Sequence, residues 1–190
     1  VFKSHNEVDL CNITQVLQTL QDFKPDLVIN TSAYTQVDLA QTHVDACTKI
    51  NATTVGQIAQ WCATHNCFLV HISTDYVFDG RKEAPYLETD ETNPHNIYGS
   101  TKLLGEHLIQ RLAGKYLILR TSWLYHESGQ NFIKSMLQYG REKDELRIVD
   151  DQVGSPTYAG DLAQALAALL ENCDLPTGLF HVANRGGCTR

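Results

Sequence analysis

The chain has 190 residues, of which 43% are hydrophobic and 19% are charged, so it is long and apolar enough to fold as a globular domain. Its net charge of −7 argues against nonspecific binding to nucleic acid or to an anionic membrane. No apolar run approaches the ~20 residues of a transmembrane helix, and residues 1–7 lack the form of a signal peptide. We therefore expect a cytoplasmic protein.

Segments with helical and strand patterns alternate along the chain. In chain order, the patterns predict helices over 13–23, 42–65, 98–112, 131–139 and 161–170, and strands over 27–30, 68–73, 116–120 and 179–182. Asn12 is a candidate cap for the first helix, and Pro25 marks its end. Because strands that alternate with helices pair in parallel, the sequence predicts an α/β fold with a doubly wound parallel sheet.

The cysteines are scattered, mostly within apolar segments. They are Cys11, Cys47, Cys62, Cys67, Cys173 and Cys188. Their spacing does not build a zinc site, so we expect buried free thiols, and no metal ligands stand out in the sequence.

Tyr98 and Lys102 lie four residues apart within a predicted helix. This spacing puts a phenol and an ammonium on one helical face, about one turn apart. A free tyrosine has a pKa of about 10, and a fixed cation beside the ring lowers it. The pair therefore indicates general acid–base chemistry at Tyr98. The alternative is a surface helix with a partly buried tyrosine.

The apolar run Cys67–Ile72 ends in Ser73, Thr74 and Asp75. In parallel α/β sheets, ligands bind outside the carboxyl ends of the strands. A hydroxyl group at that edge could bind a substrate carbonyl while Tyr98 delivers a proton. The alternative for these three residues is a turn or a helix cap.

A Gly-rich turn between a first strand and a helix, which holds the pyrophosphate in dinucleotide-binding sheets, is absent from this sequence. Gly186 and Gly187 lie at the other end of the chain. Either such a unit precedes Val1, or the protein does not bind a dinucleotide.

Several segments, in the right order, resemble the dTDP-4-dehydrorhamnose reductase family of extended short-chain dehydrogenases. The strongest match is His71–Gly80, and the others are 25–38, 51–52, 88–90, 94–106, 120–125, 131–132 and 151–157. The resemblance implies a Rossmann-like doubly wound parallel sheet with part of a smaller C-terminal substrate lobe. It divides the chain into a dinucleotide-binding domain over 1–125, without its first βα unit, and a region over 126–190 that contributes to the substrate lobe.

The resemblance also implies roles for single residues. Tyr98 is the proton donor, Lys102 lowers the pKa of Tyr98 and binds the nicotinamide ribose, and Thr74 positions the phenol and the substrate oxygen. The implied cofactor contacts are Asp9, Leu10, Ala33, Tyr34, Thr35, Ile72, Tyr98 and Lys102. The implied sugar-nucleotide contacts are Thr74, Asp75 and Trp123.

The activity that the resemblance implies is the NADPH- or NADH-dependent reduction of dTDP-4-dehydro-L-rhamnose to dTDP-L-rhamnose, for cell-surface polysaccharide. The resemblance allows the protein to form a homodimer. It also allows a bound magnesium ion, but only the resemblance suggests this, since no carboxylate cluster in the sequence demands a metal. Two alternatives stay open. Sugar-nucleotide dehydratases share the Tyr-x-x-x-Lys pattern but place a Glu where Tyr76 stands here. The other alternative is a noncatalytic subunit, because residues 74–80 also resemble a segment of the regulatory subunit of methionine adenosyltransferase.

Overall fold

The structure is a computed structural model that describes residues 1–171 and 174–189. Its helices are α1 Ile13–Phe23, α2 Val37–Ala40, α3 Val44–Thr48, α4 Thr54–Thr64, α5 Ile97–Leu112, α6 Phe132–Glu142 and α7 Ala159–Leu170. Its strands are β1 Leu27–Asn30, β2 Phe68–Thr74, β3 Lys115–Thr121, β4 Leu124–Tyr125, β5 Val153–Gly154, β6 Thr157–Tyr158, β7 Gly178–His181 and β8 Cys188–Thr189. Lys49–Thr53 is π-helical, and Asp75–Val77 is a 3₁₀ turn.

The main sheet has the order β1-β2-β3-β7. Strands β1 and β2 pair in parallel, with Leu27 opposite Phe68 and Asn30 opposite His71. The carboxyl ends of these two strands therefore lie side by side. The arrangement confirms the predicted α/β class.

Helix α1 begins where the sequence predicts it. The side chain of Asn12 accepts a hydrogen bond from the backbone N–H of Gln15, and the helix ends at Lys24, which adopts a left-handed conformation just before Pro25. Val16 is buried, and Leu17 and Leu20 pack against the core. This apolar stripe packs the helix against α4 and the core.

The predicted long helix over 42–65 is interrupted. Helix α3 passes through the π-helical segment Lys49–Thr53 into α4. Val55, Ile58, Ala59 and Trp61 lie in the core as predicted, whereas Ile50 is only partly buried. A π-helical turn holds one more residue than the α-helical turn that the pattern assumes. The side chain of Ile50 is therefore rotated away from the buried face of the helix.

Helix α5 packs so closely on its neighbours that two of its positions need glycine. A Cβ atom on Gly99 would lie 2.1 Å from the carbonyl oxygen of Tyr76, and one on Gly105 would lie 2.2 Å from that of Asn51. Both contacts are with backbone, which cannot move aside as a flexible side chain can. These two glycines therefore set how close α5 lies to the 3₁₀ turn and to the π-helical segment.

The described residues form two compact units. The first comprises residues 1–120 and 176–180, and the second the described residues of 121–175 and 181–189. In the second unit, β4 pairs in parallel with β6 and β5 antiparallel with β8. Helix α7 buries Leu162 and Leu166, whereas α6 buries no side chain. The assignment of 126–190 to a substrate lobe stays a prediction.

The cysteines that the structure describes are free thiols. Cys47, Cys62 and Cys67 are buried as predicted, Cys11 is partly buried, and Cys188 is exposed. Cys188 departs from the prediction because it lies in the short terminal strand β8, which has no buried side chain. Cys173 lies outside the described residues. Within 1–171 and 174–189, no helix combines the length and the apolar character that a bilayer crossing requires.

Replacement of Gly105 by alanine tests the close packing of α5. We expect Gly105→Ala to lower the free energy of unfolding by about 1–3 kcal/mol, because the new Cβ must push the Asn51 carbonyl away. The measurement is chemical denaturation. Gly140→Ala in α6 is the matched control, since the nearest atom to its added Cβ is 4.0 Å away. The control should be neutral or slightly stabilising, and equal effects of the two substitutions would contradict the packing argument.

Candidate active site

Thr74 ends strand β2 and caps the 3₁₀ turn that follows it. Its hydroxyl oxygen accepts from the backbone N–H of Tyr76 at 3.2 Å and donates to the Asp75 carboxylate at 3.1 Å. Thr74 is buried, and Asp75 is partly buried. The capping role that the sequence left open is therefore present, and it also fixes the Thr74 hydroxyl at the carboxyl edge of the sheet.

Tyr98 lies in the first turn of α5. Asn96 caps this helix by accepting from the backbone N–H of Gly99 at 2.7 Å, and the Tyr98 ring meets the Tyr76 ring edge-to-face at 5.6 Å between centroids. Burial raises the pKa of Tyr98 to about 12, and the nearby Thr74 hydroxyl opposes this rise. The phenol is therefore protonated at neutral pH and positioned beside Thr74.

Lys102 lies one turn further along α5, and its side chain is fully buried. Its Nζ atom donates to the carbonyl oxygen of Ile72 at 2.6 Å and lies 3.1 Å from Nε2 of His71. Burial lowers the pKa of Lys102 to about 8, although the charges of Glu106 and Cys47 oppose the shift. The amine is thus held against strand β2.

The spacing of Tyr98 and Lys102 predicted a lowered pKa at Tyr98, and the structure shows the opposite direction. The reason is that burial of the phenol outweighs the lowering effect of the nearby Thr74 hydroxyl. Lys102 is on the predicted helical face, but its amine is engaged by His71 and the Ile72 carbonyl. Ile72 therefore contributes a backbone acceptor to the site.

The predicted cofactor loop Ala33–Thr35 follows the carboxyl end of β1. Asn51 holds this loop at its centre: its side chain accepts from the backbone N–H of Tyr34 at 2.8 Å and donates to the Tyr34 carbonyl at 3.2 Å. The same amide reaches the hydroxyl of Thr101 on α5 at 3.2 Å. The Tyr34 hydroxyl bonds Nδ1 of His43, and Thr35 is exposed.

The π-helical turn places Asn51 between this loop and helix α5. Such turns are rare and frequently occur at functional sites. In the sequence, Asn51 and Ala52 stood out only as part of the family resemblance, because an Asn within a helical pattern gives no sign of its partners.

Asp9 and Leu10 lie just before α1 and make hydrogen bonds within the first compact unit. The Asp9 carboxylate accepts from the backbone N–H of Cys11 at 2.8 Å, and the Leu10 carbonyl accepts from the Thr54 hydroxyl at 2.7 Å. Leu10 also packs against the core. The structure shows a turn and a packing contact here, and the predicted contact with adenine stays a prediction.

Trp123 belongs to the second unit, where it adopts a left-handed backbone conformation with φ of 45°. Its ring lies over Gly154, where a Cβ atom would be 2.6 Å from the indole. A left-handed conformation is costly for a bulky residue and is found preferentially at functional sites. The substrate contact expected for Trp123, and that expected for Asp75, stay predictions.

A buried ion pair joins helix α5 to strand β3 near the candidate site. Glu106 accepts from Arg120 on β3 at 2.6 Å and from the Ser73 hydroxyl, and both members of the pair are buried. The guanidinium also lies 5.0 Å from the ring centroid of Phe78. Removal of one partner would leave a buried charge uncompensated. This pair could not be predicted from the sequence, because Glu106 and Arg120 lie on different elements and no helical or strand spacing relates them.

In 1–171 and 174–189, no group of three or more His, Cys, Asp or Glu side chains could hold a metal ion. The magnesium that the resemblance allows therefore has no candidate ligand cluster among the described residues.

A family model described as the RmlD substrate binding domain matches residues 1–190. The chain is 43% identical over 180 residues to the dTDP-4-dehydrorhamnose reductase of Aggregatibacter actinomycetemcomitans, covering 93% of this chain and 61% of that protein. It is 41% identical to the enzyme of the same name from Escherichia coli, over 95% of this chain and 62% of the relative. The chain thus spans about three-fifths of the length of these curated relatives.

Among solved structures, the chain superimposes on a dTDP-4-dehydrorhamnose reductase from Bacillus anthracis in complex with NADP. The TM-score is 0.92 at 40% identity, over 98% of this chain and 66% of that one. This agreement confirms the Rossmann-like fold that the sequence predicts. The family model covers the chain from end to end, and the chain therefore belongs to the RmlD family, that of the dTDP-4-dehydrorhamnose reductases.

Proposed function

We propose that this chain carries the acid–base residues of a reductase that converts dTDP-4-dehydro-L-rhamnose to dTDP-L-rhamnose with NADPH or NADH. The observation that carries the proposal is the cluster of Tyr98, Thr74 and Lys102 at the carboxyl end of β2. Ligands of parallel α/β sheets bind at this edge. Family membership adds the substrate class and the direction of the reaction.

The residues at this edge suit a nicotinamide nucleotide. The buried amine of Lys102 lies next to strand β2, and Asn51 fixes the loop through Tyr34 while Thr35 stays exposed. Lys102 offers a hydrogen-bond donor to the ribose hydroxyls. The loop through Tyr34 offers a backbone that is already fixed beside the carboxyl end of β1. When bound, the reduced nicotinamide supplies the hydride.

Tyr98 is protonated throughout the neutral range because its pKa lies near 12. In the proposed reaction it gives its phenolic proton to the oxygen at C4 of the sugar as that carbon is reduced. In that step the Thr74 hydroxyl, which donates to Asp75 in the structure, turns to donate its hydrogen bond to the developing negative charge on the oxygen. A protonated Lys102 stabilises the phenolate that remains.

The same proposal includes the other features that the resemblance implies. The dTDP group of the substrate contacts Asp75 and Trp123, the protein forms a homodimer, and it works in the cytoplasm, where nucleotide sugars are made.

Removal of the phenolic proton tests the role of Tyr98. We expect Tyr98→Phe to lower kcat by at least about 100-fold while the affinity for NADPH stays unchanged, because the ring remains and only the acid is lost. Turnover is followed by NADPH absorbance in the full-length protein, and affinity by NADPH fluorescence. Tyr116→Phe makes the same change at a tyrosine that packs against the core, and it should keep turnover. Near-normal turnover in Tyr98→Phe would exclude Tyr98 as the acid.

A substitution at Thr74 separates hydrogen bonding from shape. Thr74→Val keeps the side-chain volume but removes the hydroxyl, so we expect a loss of about 100-fold in kcat, similar to that for an oxyanion donor. The pKa of Tyr98 should also rise further, since the hydroxyl now opposes that rise. Thr74→Ser restores the hydroxyl and should recover most of the turnover. If Val and Ser variants lose the same amount, the hydroxyl has no part in the reaction.

A further inference from the structure

We propose that Asn30 and His71 hold Lys102 as a neutral amine in the free protein, which makes His71 a positioning residue for the candidate active site. The three side chains form a buried row. Asn30 Nδ2 lies 3.1 Å from His71 Nδ1, and His71 Nε2 lies 3.1 Å from Lys102 Nζ. Their exposed fractions are 6%, 0% and 1%, so hydrogen bonds within the row must satisfy their polar atoms.

The contacts of Asn30 with Ser32 fix the orientation of its side-chain amide. Its Oδ1 atom accepts from the backbone N–H of Ser32 at 3.2 Å and from the Ser32 hydroxyl. A backbone N–H can only donate, so a reversed amide would place two donors face to face. Asn30 therefore presents its NH₂ group to His71.

The imidazole must then accept at Nδ1 from the Asn30 amide. A neutral imidazole carries its proton on the other nitrogen, which here is Nε2. The Nε2–H group points at Lys102 Nζ, which must accept this hydrogen bond. An ammonium group has no lone pair, whereas a neutral amine accepts one hydrogen bond and still donates to the Ile72 carbonyl at 2.6 Å. Only the neutral form of Lys102 satisfies the whole row.

Burial acts in the same direction but does not by itself deprotonate Lys102 at neutral pH, so the hydrogen-bonded row must lower the pKa of Lys102 further. Burial lowers the pKa of Lys102 to about 8 and holds the pKa of His71 well below its usual range, with the Lys102 charge adding to the shift at His71. Glu106 on α5 and Cys47 on α3 act in the opposite direction, toward a higher pKa at Lys102. Glu106 is already paired with Arg120, so its carboxylate is not available to hold an ammonium at Lys102.

The arrangement has a consequence that rests on the proposed function. A neutral amine does not stabilise the phenolate of Tyr98, so Lys102 must gain a proton before Tyr98 can give up its own. His71 would then set the pH range in which the reductase works, with activity falling above the pKa of Lys102. The protonation assignment itself does not depend on any reaction.

The tautomer of His71 is the first test, and it uses the unmodified full-length protein without cofactor. Nitrogen NMR of the protein labelled with ¹⁵N-histidine should show His71 as the neutral Nε2–H tautomer, unchanged between about pH 6 and 8, where an ordinary histidine titrates. A proton on Nδ1, or an imidazolium in that range, would overturn the proposal.

Asn30→Asp is the second test, because it reverses the polarity of the row. The carboxylate would still accept from Ser32 but would now also accept from His71 Nδ1–H. Nε2 would then be free to accept from an ammonium at Lys102. We expect the pKa of Lys102, measured by ¹³C NMR of labelled lysine, to rise by at least about one unit.

Asn66→Asp is the matched control, since Asn66 is exposed at the end of α4 and outside the row. It should leave the pKa of Lys102 unchanged. An unchanged Lys102 in folded Asn30→Asp, or an ordinary lysine pKa in the unmodified protein, would refute the assignment. These readouts need no turnover, so an inactive protein with the expected His71 tautomer would count against the reductase proposal alone.

Discussion

The backbone of helix α5 approaches two other backbone segments more closely than any side chain allows. At Gly99 it meets the carbonyl of the turn after β2, and at Gly105 it meets the carbonyl of Asn51 in the π-helical segment. Everything at the candidate site depends on this approach, because Tyr98 and Lys102 project from the same helix. With a wider spacing, the phenol would leave Thr74 and the amine would leave the Ile72 carbonyl.

Burial is the second consequence of that packing, and it governs the chemistry. Desolvation disfavours charge, so the pKa of Tyr98 rises and that of Lys102 falls. Burial therefore favours the uncharged phenol at Tyr98 and moves Lys102 toward the uncharged amine. The nearby Glu106–Arg120 pair joins a buried carboxylate to a buried guanidinium at 2.6 Å.

Family membership and geometry support different parts of the functional proposal. The family supplies the sugar-nucleotide substrate and the reductive direction. The geometry supplies a proton donor that stays protonated, a hydroxyl that orients it, and an amine whose charge depends on its buried partners His71 and Asn30. The chain spans about three-fifths of its curated relatives, and the residues described here would account for the acid–base part of the proposed reaction.

The sequence by itself determined the α/β class, the four strands of the main sheet, most helices and the pairing of Tyr98 with Lys102 on one helical face, because periodicity and local spacing are encoded within single elements. It did not predict helix α2 or the short strands β4, β5, β6 and β8. It missed the π-helical turn and expected the wrong direction for the pKa of Tyr98. Only the tertiary structure decided the partners of Asn51, His71 and Lys102. These contacts join elements far apart in the chain, and both desolvation and hydrogen-bond direction depend on what surrounds a group in space.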